Sequence, residues 1–346
     1  MSLRFDRLLM IAALILPSAS ALADFKDVLD SPAIQTPLAK SAPLQAVARA
    51  GNHLVAVGAR GDILISTDNG DSWTQVPVPV SSDLTAVAFP DPLHGWAVGH
   101  DGIVLATVDG GQTWEKQLDG TQLGRLMVEQ SEPVWRDEAR QYQAEGADKP
   151  FLDVWFADAK TGYVVGAFNL IFKTSDGGKN WHSLFGRTAN PQRLHLYSIQ
   201  PSANALYIAG EGGLLLRSSA ASDDFKAMAL PYSGSLFGVR SDGKSLLVFG
   251  LRGNLFRSDD EGAHWSKIET GERSGLVGSG VAPGGRMTIV AQSGGALTSE
   301  DGFKSFQIRR PRTALQASGV ADLGGDRLIL TGLQGAATIS LIEAPQ

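Results

Sequence analysis

The feature that most constrains the fold of this sequence is a stretch of about forty residues that recurs seven times along the chain. Each copy has a short β-rich run that ends in glycine, or in alanine in one copy, then a two-residue turn and a second apolar run. The repeated position is occupied by Gly58, Gly99, Gly166, Gly210, Gly250, Ala291 and Gly332. Repeats of this length that are built from strands are typical of propellers. We therefore predict an all-β fold over residues 44–346, a seven-bladed β-propeller of four-stranded antiparallel blades.

The spacing of the copies predicts one insertion. Successive repeated positions are 41, 67, 44, 40, 41 and 41 residues apart, so only the second interval is long. The extra residues lie at about 118–149, between blades two and three, and Pro133 to Glu145 has the pattern of a helix. Trp135 and Tyr142 of this helix are unusual residues to leave in water. The insertion is therefore either a cap packed on its own propeller or an arm that docks a partner.

The N-terminal residues have the features of a secretory signal. Arg4 and Arg7 precede an apolar run from Leu8 to Leu16, and small residues end the segment at Ala23. We predict that residues 1–23 are a signal peptide, with a retained membrane anchor as the alternative. The mature chain is then expected to be soluble and periplasmic, or in the thylakoid lumen if the host is photosynthetic.

The last copy of the repeat stops after Ile342, before a fourth strand. A ring of blades is closed when its exposed strand edges are paired. We therefore expect residues 24–43 to supply the outer strand of blade seven. The alternative is that this segment is an export leader without structure of its own.

Composition excludes several kinds of site. The chain has no cysteine, so thiolate metal sites and cysteine nucleophiles are excluded, and its six histidines show no spacing typical of a metal pair. The net charge of −6 argues against a nucleic-acid partner. Residues 238–245 match a phosphate-loop pattern, but strand residues follow where a helix is required, so we interpret them as a hairpin turn. We predict neither a metal nor a cofactor.

A second motif lies in the turn between the third and fourth strands of several copies. It consists of Ser or Thr, an Asp two residues later, then Gly and Trp, and its polar side chains can bond the backbone of the turn. Four clean copies recur in register with the longer repeat, which favours a structural role. They are Ser66, Asp68, Gly70 and Trp73; Thr107, Asp109, Gly111 and Trp114; Thr174, Asp176, Gly178 and Trp181; and Ser258, Asp260, Gly262 and Trp265. The motif is degenerate in residues 218–225 and 299–306.

This motif is the Asp-box, or BNR repeat, and the longer strings from Val98 to Trp114 and from Val165 to Trp181 resemble the photosystem II stability/assembly factor family. The resemblance covers nearly all of the chain from Leu44 to Ile342. It implies a seven-bladed propeller that assists the assembly of a membrane complex without catalysis. Related proteins also occur in bacteria that do not photosynthesise, some beside RND-type exporters, and a transporter subunit is then the implied partner.

Two alternatives to protein binding remain open. Asp-box propellers include sialidases, which use three arginines, a tyrosine nucleophile paired with Glu, and an acid/base Asp. The Arg-Ile-Pro signature of that family is absent from residues 44–49, and the five tyrosines lack an evident Glu partner. The other alternative is a propeller that binds a small ligand.

The meander of a blade predicts which loops share a face. Turns between strands two and three lie with the inter-blade connections and the insertion, opposite the Asp-boxes. We expect this face to bind the partner, because it collects arginines in a chain of acidic composition. The candidate residues are Arg60, Trp135, Arg136, Tyr142, Arg187, Arg193, Arg252, Arg273, Arg309, Arg310 and Arg312.

Overall fold

The computed structural model describes residues 26–203, 205–219, 222–311 and 315–343, so the predicted signal peptide lies outside the described residues. Seven antiparallel meanders follow one another along the chain, and the predicted seven-bladed propeller is confirmed. Blade one consists of β1 Leu44–Ala50, β2 His53–Gly58, β3 Ile63–Ser66 and β4 Thr74–Gln75. Blade two consists of β5 Leu84–Ala88, β6 Gly95–Gly99, β7 Val104–Thr107 and β8 Glu115–Leu118. Blade three consists of β9 Phe151–Phe156, β10 Gly162–Gly166, β11 Ile171–Thr174 and β12 His182–Ser183.

Blades four to six also have four strands each, and blade seven has three in the described part of the chain. Their bounds are β13 Leu196–Ser202, β14 Ala205–Gly210, β15 Leu215–Ser219, β16 Lys226–Ala227, β17 Leu236–Ser241, β18 Leu246–Gly250, β19 Leu255–Ser258, β20 Ser266–Ile268, β21 Leu276–Val281, β22 Met287–Ala291, β23 Ala296–Ser299, β24 Gln307–Pro311, β25 Gly319–Gly324, β26 Arg327–Gly332 and β27 Gly335–Glu343. Residues 242–245 form the β17–β18 hairpin, so the phosphate-loop match is a turn between strands.

The core lies between blades, because each sheet buries both faces against its neighbours. Val57 and Ile63 of blade one, for example, pack in one cluster with Leu84 and Leu105 of blade two. The second and third strands are apolar on both faces for this reason, which matches the pattern of continuous apolar runs in the sequence.

The glycine that reveals the repeat marks a close backbone approach. A Cβ placed on Gly58 would lie 2.2 Å from the carbonyl oxygen of Pro43, and one on Gly99 would lie 2.0 Å from that of Asp83. At the next residue, the N–H of Ala59 donates to Pro43 O and the N–H of His100 donates to Asp83 O. The same bond recurs in blades three to six. It joins the two–three turn to the connection before strand one, so both lie on one face, which we call the insertion face.

The innermost strands carry a β-bulge at their second residue. Register shifts fall at the start of the inner strand in six blades, so that one residue on each is left without a partner. Bulges change the direction in which side chains point, and they occur often beside functional sites. The six bulged residues, which all line the central channel near the insertion face, are Gln45, Thr85, Leu152, Tyr197, Phe237 and Val277.

The insertion contains two helices, α1 (Gly120–Gln130) and α2 (Arg136–Glu145), with a 3-10 turn at Pro133–Trp135. α2 was predicted and α1 was not. Asp119 caps α1 by accepting the N–H groups of Thr121 and Gln122, each at 3.1 Å. Gly124 lowers helix propensity, yet the packing requires it, because a Cβ there would lie 3.0 Å from the Cα atom of Gln143 in α2.

The segment before blade one does not form the predicted strand. Within residues 26–43 the structure has turns and a 3-10 helix, Ala39–Ser41, but no strand. The N–H of Ala33 donates to Val78 O at 3.0 Å, and the N–H of Ser81 donates to Val28 O at 2.9 Å. These bonds hold the segment against the chain that follows β4, on the outside of blade one.

The outer edge of β27 is paired in a different way. β24 extends past β23 and pairs with β27 over residues 309–311 and 341–343, which joins blades six and seven into one seven-stranded sheet. The prediction of an outer strand of blade seven within residues 24–43 is therefore corrected for the described residues. The physical reason is burial, because Leu29 and Ala33 pack with the core of blades one and two and hold the segment there.

Candidate partner-binding face

The Asp-boxes form hairpins in which the Ser or Thr hydroxyl and the Asp carboxylate both have hydrogen-bond partners. Ser66 Oγ donates to Asp68 Oδ1 at 2.8 Å and accepts the N–H of Gly70 at 2.7 Å. Asp68 also accepts the N–H of Ser72 at 2.9 Å and its hydroxyl at 2.5 Å. The boxes at Thr107, Thr174 and Ser258 repeat this network. All of these bonds stay within the hairpin, as a structural role requires.

The degenerate copy in blade six has the same geometry. Ser299 Oγ donates to Asp301 Oδ1 at 2.9 Å, and Asp301 accepts the N–H and the hydroxyl of Ser305. Phe303 occupies the position of the usual glycine, and it has a positive φ of 65°. Its ring is buried in the core of blades five and six, which offsets the cost of that backbone conformation.

The carboxylates of the boxes are held in the ionised state. The side-chain hydrogen bond from Ser72, followed by that residue's backbone N–H, lowers the pKa of Asp68 to about 2. The side-chain amide of Asn180 has the largest effect on Asp176, and it lowers the pKa of that group to about 2 as well.

Three of the candidate arginines lie exposed on the insertion face. Arg60 and Arg252 occupy the same place in the two–three turns of blades one and five, each with a positive φ, 55° and 59°. Arg273 lies in the connection that leads into blade six. Arg136, at the start of α2, is also exposed. Acidic residues are interspersed with them, since Asp83 accepts the backbone N–H of Arg60.

Other candidates lie elsewhere. Arg187 pairs with Asp224 at 3.0 Å, beside the three–four turn of blade four, so it lies at the outer rim between two blades. Arg309 and Arg310 belong to β24 and not to a connection, and the backbone of that strand is paired on both edges. Arg312 lies outside the described residues.

Arg193 fastens the insertion to the propeller. Its guanidinium forms a bidentate pair with Glu138 of α2, at 2.6 and 2.7 Å. The same group lies 4.7 Å from the ring centroid of Trp135 and 4.1 Å from that of Phe185. Planar stacking and a bidentate carboxylate use the full chemistry of arginine. Arg193 and Trp135 are therefore engaged within the chain, as in a cap that packs on its own propeller.

Tyr142 makes a second attachment. The ring is buried, and its hydroxyl donates to the carbonyl oxygen of Phe168 in the two–three turn of blade three. Burial, followed by the nearby charge of Glu138, raises the pKa of Tyr142. Leu123 and Met127 of α1 lie in the same core cluster. The insertion is thus held in a fixed position on the insertion face.

The central channel holds a cavity of about 180 Å³. Among the described residues that line it, Arg240 and Asp153 are charged. Burial lowers the pKa of Arg240 and raises the pKa of Asp153, while the opposite charge of each residue counteracts the pKa shift of the other. Asp153 accepts the N–H of Ile199 at 2.8 Å, and Arg240 Nε donates to Ser279 Oγ at 2.6 Å. Both side chains therefore connect neighbouring inner strands. The described residues that line the cavity include one arginine, Arg240, whereas a sialidase site uses three.

A family model described as "Photosynthesis system II assembly factor YCF48" matches residues 65–129 and 134–269, which is more than half of the chain. The chain belongs to this family. The resemblance inferred from the Asp-boxes is therefore confirmed, and the chain is a BNR-repeat propeller of the assembly-factor family.

Individual relatives agree with this assignment. The photosystem II assembly lipoprotein Ycf48 of Synechococcus sp. (strain CC9902) is 24% identical over 255 residues, which cover 72% of this chain and 68% of the relative. The chloroplastic photosystem II stability/assembly factor HCF136 of Cyanidioschyzon merolae is 52% identical over 54 residues, 15% of this chain and 12% of the relative.

Solved structures support the fold. A structure described as YCF48 bound to D1 peptide aligns with a TM-score of 0.63 at 17% identity and covers 90% of this chain and 96% of that chain. A virginiamycin B lyase from Staphylococcus aureus aligns with a TM-score of 0.66 at 8% identity, covering 90% of this chain and 98% of that chain. The second case shows that this fold also supports catalysis, so the fold alone does not determine function.

Proposed function

We propose that this chain is a periplasmic, non-catalytic propeller that binds a subunit of a membrane complex through its insertion face and assists the assembly or stability of that complex. The family match is the observation that carries the proposal. The solved relative bound to D1 peptide supports it, because that protein's ligand is a segment of another protein. No helix within the described residues is long and apolar enough to cross a membrane.

The insertion face suits this role for a physical reason. Binding costs less when the surface is ordered before the partner arrives. The insertion is fixed by the Arg193–Glu138 pair and by the buried ring of Tyr142, so it presents α2 and exposed Arg136 in a set position. Arg60, Arg252 and Arg273 add positive charge around the channel on the same face. An acidic segment of a photosystem subunit, or of an RND-type transporter in a host that does not photosynthesise, is the partner we propose.

Crosslinking in the intact envelope, followed by purification of this chain, tests the proposal. The triple variant Arg60→Glu, Arg252→Glu and Arg273→Glu should associate more slowly with the captured subunit, and salt should affect its association less. The matched control is Lys160→Glu, Lys179→Glu and Lys304→Glu, whose side chains are exposed on the Asp-box face. Loss of binding in the control but not in the arginine variant would show that the other face binds. Hydrolysis of fluorogenic sialosides by the pure protein would favour the glycosidase alternative.

A further inference from the structure

Four aromatic rings form a continuous row on the insertion face, from the insertion to the channel. We call Phe168, His195, Tyr197 and Phe237 the aromatic track. The ring centroids of Phe168 and His195 are 4.7 Å apart, those of His195 and Tyr197 are 6.0 Å apart, and those of Tyr197 and Phe237 are 5.5 Å apart. At the outer end, Phe168 accepts the hydroxyl hydrogen bond of Tyr142. The row therefore crosses blades three, four and five.

Phe168 places a large apolar ring at a strained position of the two–three turn. Phe168 has a φ of 53°, a conformation that bulky residues rarely adopt. The same position of the turn has a positive φ in other blades as well, at Arg60, Asp101, Gly212 and Arg252, with φ of 55°, 59°, 60° and 59°. The side chain of Phe168 nevertheless remains 46% exposed, so core packing does not repay the strain. The strain belongs to the turn of the repeat, and what is particular to blade three is the exposed aromatic ring that this turn carries.

The inner end of the track is built from bulged residues. Tyr197 and Phe237 are the unpaired residues of β13 and β17, and they are half-buried at the mouth of the channel. Leu152 and Val277 continue the apolar side of the ring, whereas Gln45 and Thr85 make the opposite side polar. The mouth of the channel is thus an apolar crescent on blades three to six.

Charge differs between the two ends of the track. At the outer end, a cavity of about 360 Å³ beside Phe168 is lined by Glu138, Glu145 and Asp148, together with Lys149 and Arg193. At the inner end, the turn that carries Arg252 is bonded to Ser235, two residues before Phe237. Arg273 lies two residues before Gly275, which adjoins the ring of Phe237. Between these arginines, the Glu272 carboxylate turns towards Ser293 of blade six.

We propose that the aromatic track binds an extended segment of the partner, with apolar or aromatic side chains packed on its rings and an acidic residue at the channel end beside Arg252 and Arg273. This inference rests on the proposed function and names the surface that gives it affinity. Buried aromatic contacts carry most of the energy of protein interfaces, and charged rims mainly direct the encounter. The arginines then orient the segment, and the rings hold it.

Fluorescence anisotropy with synthetic peptides tests the proposal. The probe is a capped, fluorescein-labelled peptide that alternates phenylalanine with glutamate. One control peptide replaces phenylalanine with serine, and a second replaces glutamate with lysine. The wild-type chain should bind the probe at least about tenfold more tightly than either control, as expected for aromatic anchors with charge complementarity. Equal affinity for the three peptides, or no binding of the probe, would overturn the proposal.

Phe168→Gly is the decisive variant. Glycine relieves the positive φ and keeps the backbone bond to His195 Nδ1, so the thermal midpoint should stay the same or rise. Probe affinity should fall at least about fivefold, and Phe237→Ser should weaken it further. Val281→Ser is the matched control, because Val281 is 58% exposed at the opposite end of an inner strand. Unchanged affinity in Phe168→Gly would contradict the track.

The crosslinking experiment in the envelope distinguishes a failure of the aromatic track from a failure of the proposed function. If the wild-type chain captures its membrane subunit and Phe168→Gly captures it with equal affinity, the track is wrong and the proposed function stands. If the probe binds as expected but crosslinking yields no membrane-complex subunit, the track is a peptide site and the proposed function fails.

Discussion

A buried ion pair between Arg286 and Asp322 joins blades six and seven. Removing it measures how much a contact between blades contributes to the stability of the propeller. The carboxylate of Asp322, in β25, is fully buried and accepts four hydrogen bonds. Arg286 donates to it through Nε at 3.0 Å and Nη2 at 2.6 Å, Thr288 donates its hydroxyl at 2.5 Å, and the N–H of Gly324 donates at 2.9 Å. Thr288 lies in β22 and Arg286 directly precedes that strand. The Asp322 carboxylate therefore joins blade seven to blade six.

Asp322→Ala should destabilise the fold by about 3–5 kcal/mol. The reason is that Arg286, with a side chain only 15% exposed, would lose its counter-charge, and the Thr288 hydroxyl would be buried without an acceptor. The double variant Asp322→Leu and Arg286→Met removes both charges and keeps the volume. It should recover most of the loss and fall within about 2 kcal/mol of the wild type.

Urea unfolding followed by tryptophan fluorescence measures these differences. A matched control is Arg327→Ala, since Arg327 pairs with Asp71 of blade one at 2.8 Å and both side chains are about half exposed. That pair should contribute less than about 1 kcal/mol. If Asp322→Ala costs no more than the exposed control, or if the double variant is as unstable as the single one, the buried pair does not hold the blades as we argue.

Three further predictions concern the Asp-boxes, the insertion and the N-terminal segment. The pKa of Asp68 and of Asp176 in the folded chain is about 2, below the usual value of 3.8 for aspartate, so their stabilising effect should be complete above about pH 4 and be lost as the pH falls through about 2. The urea midpoint should shift less between these pH values in Asp68→Asn than in the wild type. A double-mutant cycle of Glu138→Ala and Arg193→Ala should give a coupling energy of about 1–3 kcal/mol, and amide exchange in α2 should accelerate in Arg193→Ala while that of β9 stays slow. Deleting residues 24–38 should lower the thermal midpoint, because buried Leu29 and Ala33 leave the core of blades one and two, whereas Ile34→Ser, at a side chain that is 75% exposed, should not.

The blades were predictable from the sequence because one physical constraint recurs in every copy. The close approach at Gly58 and Gly99 selects glycine wherever a two–three turn meets the preceding connection. The Asp-box recurs because its hydroxyl and carboxylate satisfy the backbone groups of a tight hairpin. Repetition turns these local constraints into a period that can be read without other sequences.

The parts that occur once could not be predicted in the same way. α1 has glycines at Gly120 and Gly124, which reduce its helical signal, and their reason is the nearby backbone of α2 and of the chain after it. The path of residues 26–43 depends on the burial of two side chains, Leu29 and Ala33, in a core that the next two blades complete with residues as far along the chain as Trp114. The pairing of Arg193 with Glu138 spans 55 residues and has no local pattern. In each case the deciding contact is non-local.

The same distinction bears on the binding surface that we propose. The first residue of the inner strand is Leu44, Leu84, Leu196, Leu236 or Leu276 in five blades and Phe151 in another, because that side chain is buried between sheets. The next residue, on the bulge, differs in every one of these blades, from Gln45 and Thr85 to Tyr197 and Phe237. Packing demands the first position and constrains the identity of the second less, although the hydroxyl of Thr85 donates to the carbonyl oxygens of Val98 and Phe151. The second position can therefore be matched to a partner at a lower cost to the fold than the first. A propeller built this way separates stability from recognition, and substitutions in the ring of bulged residues should change what is bound before they change how stably the chain folds.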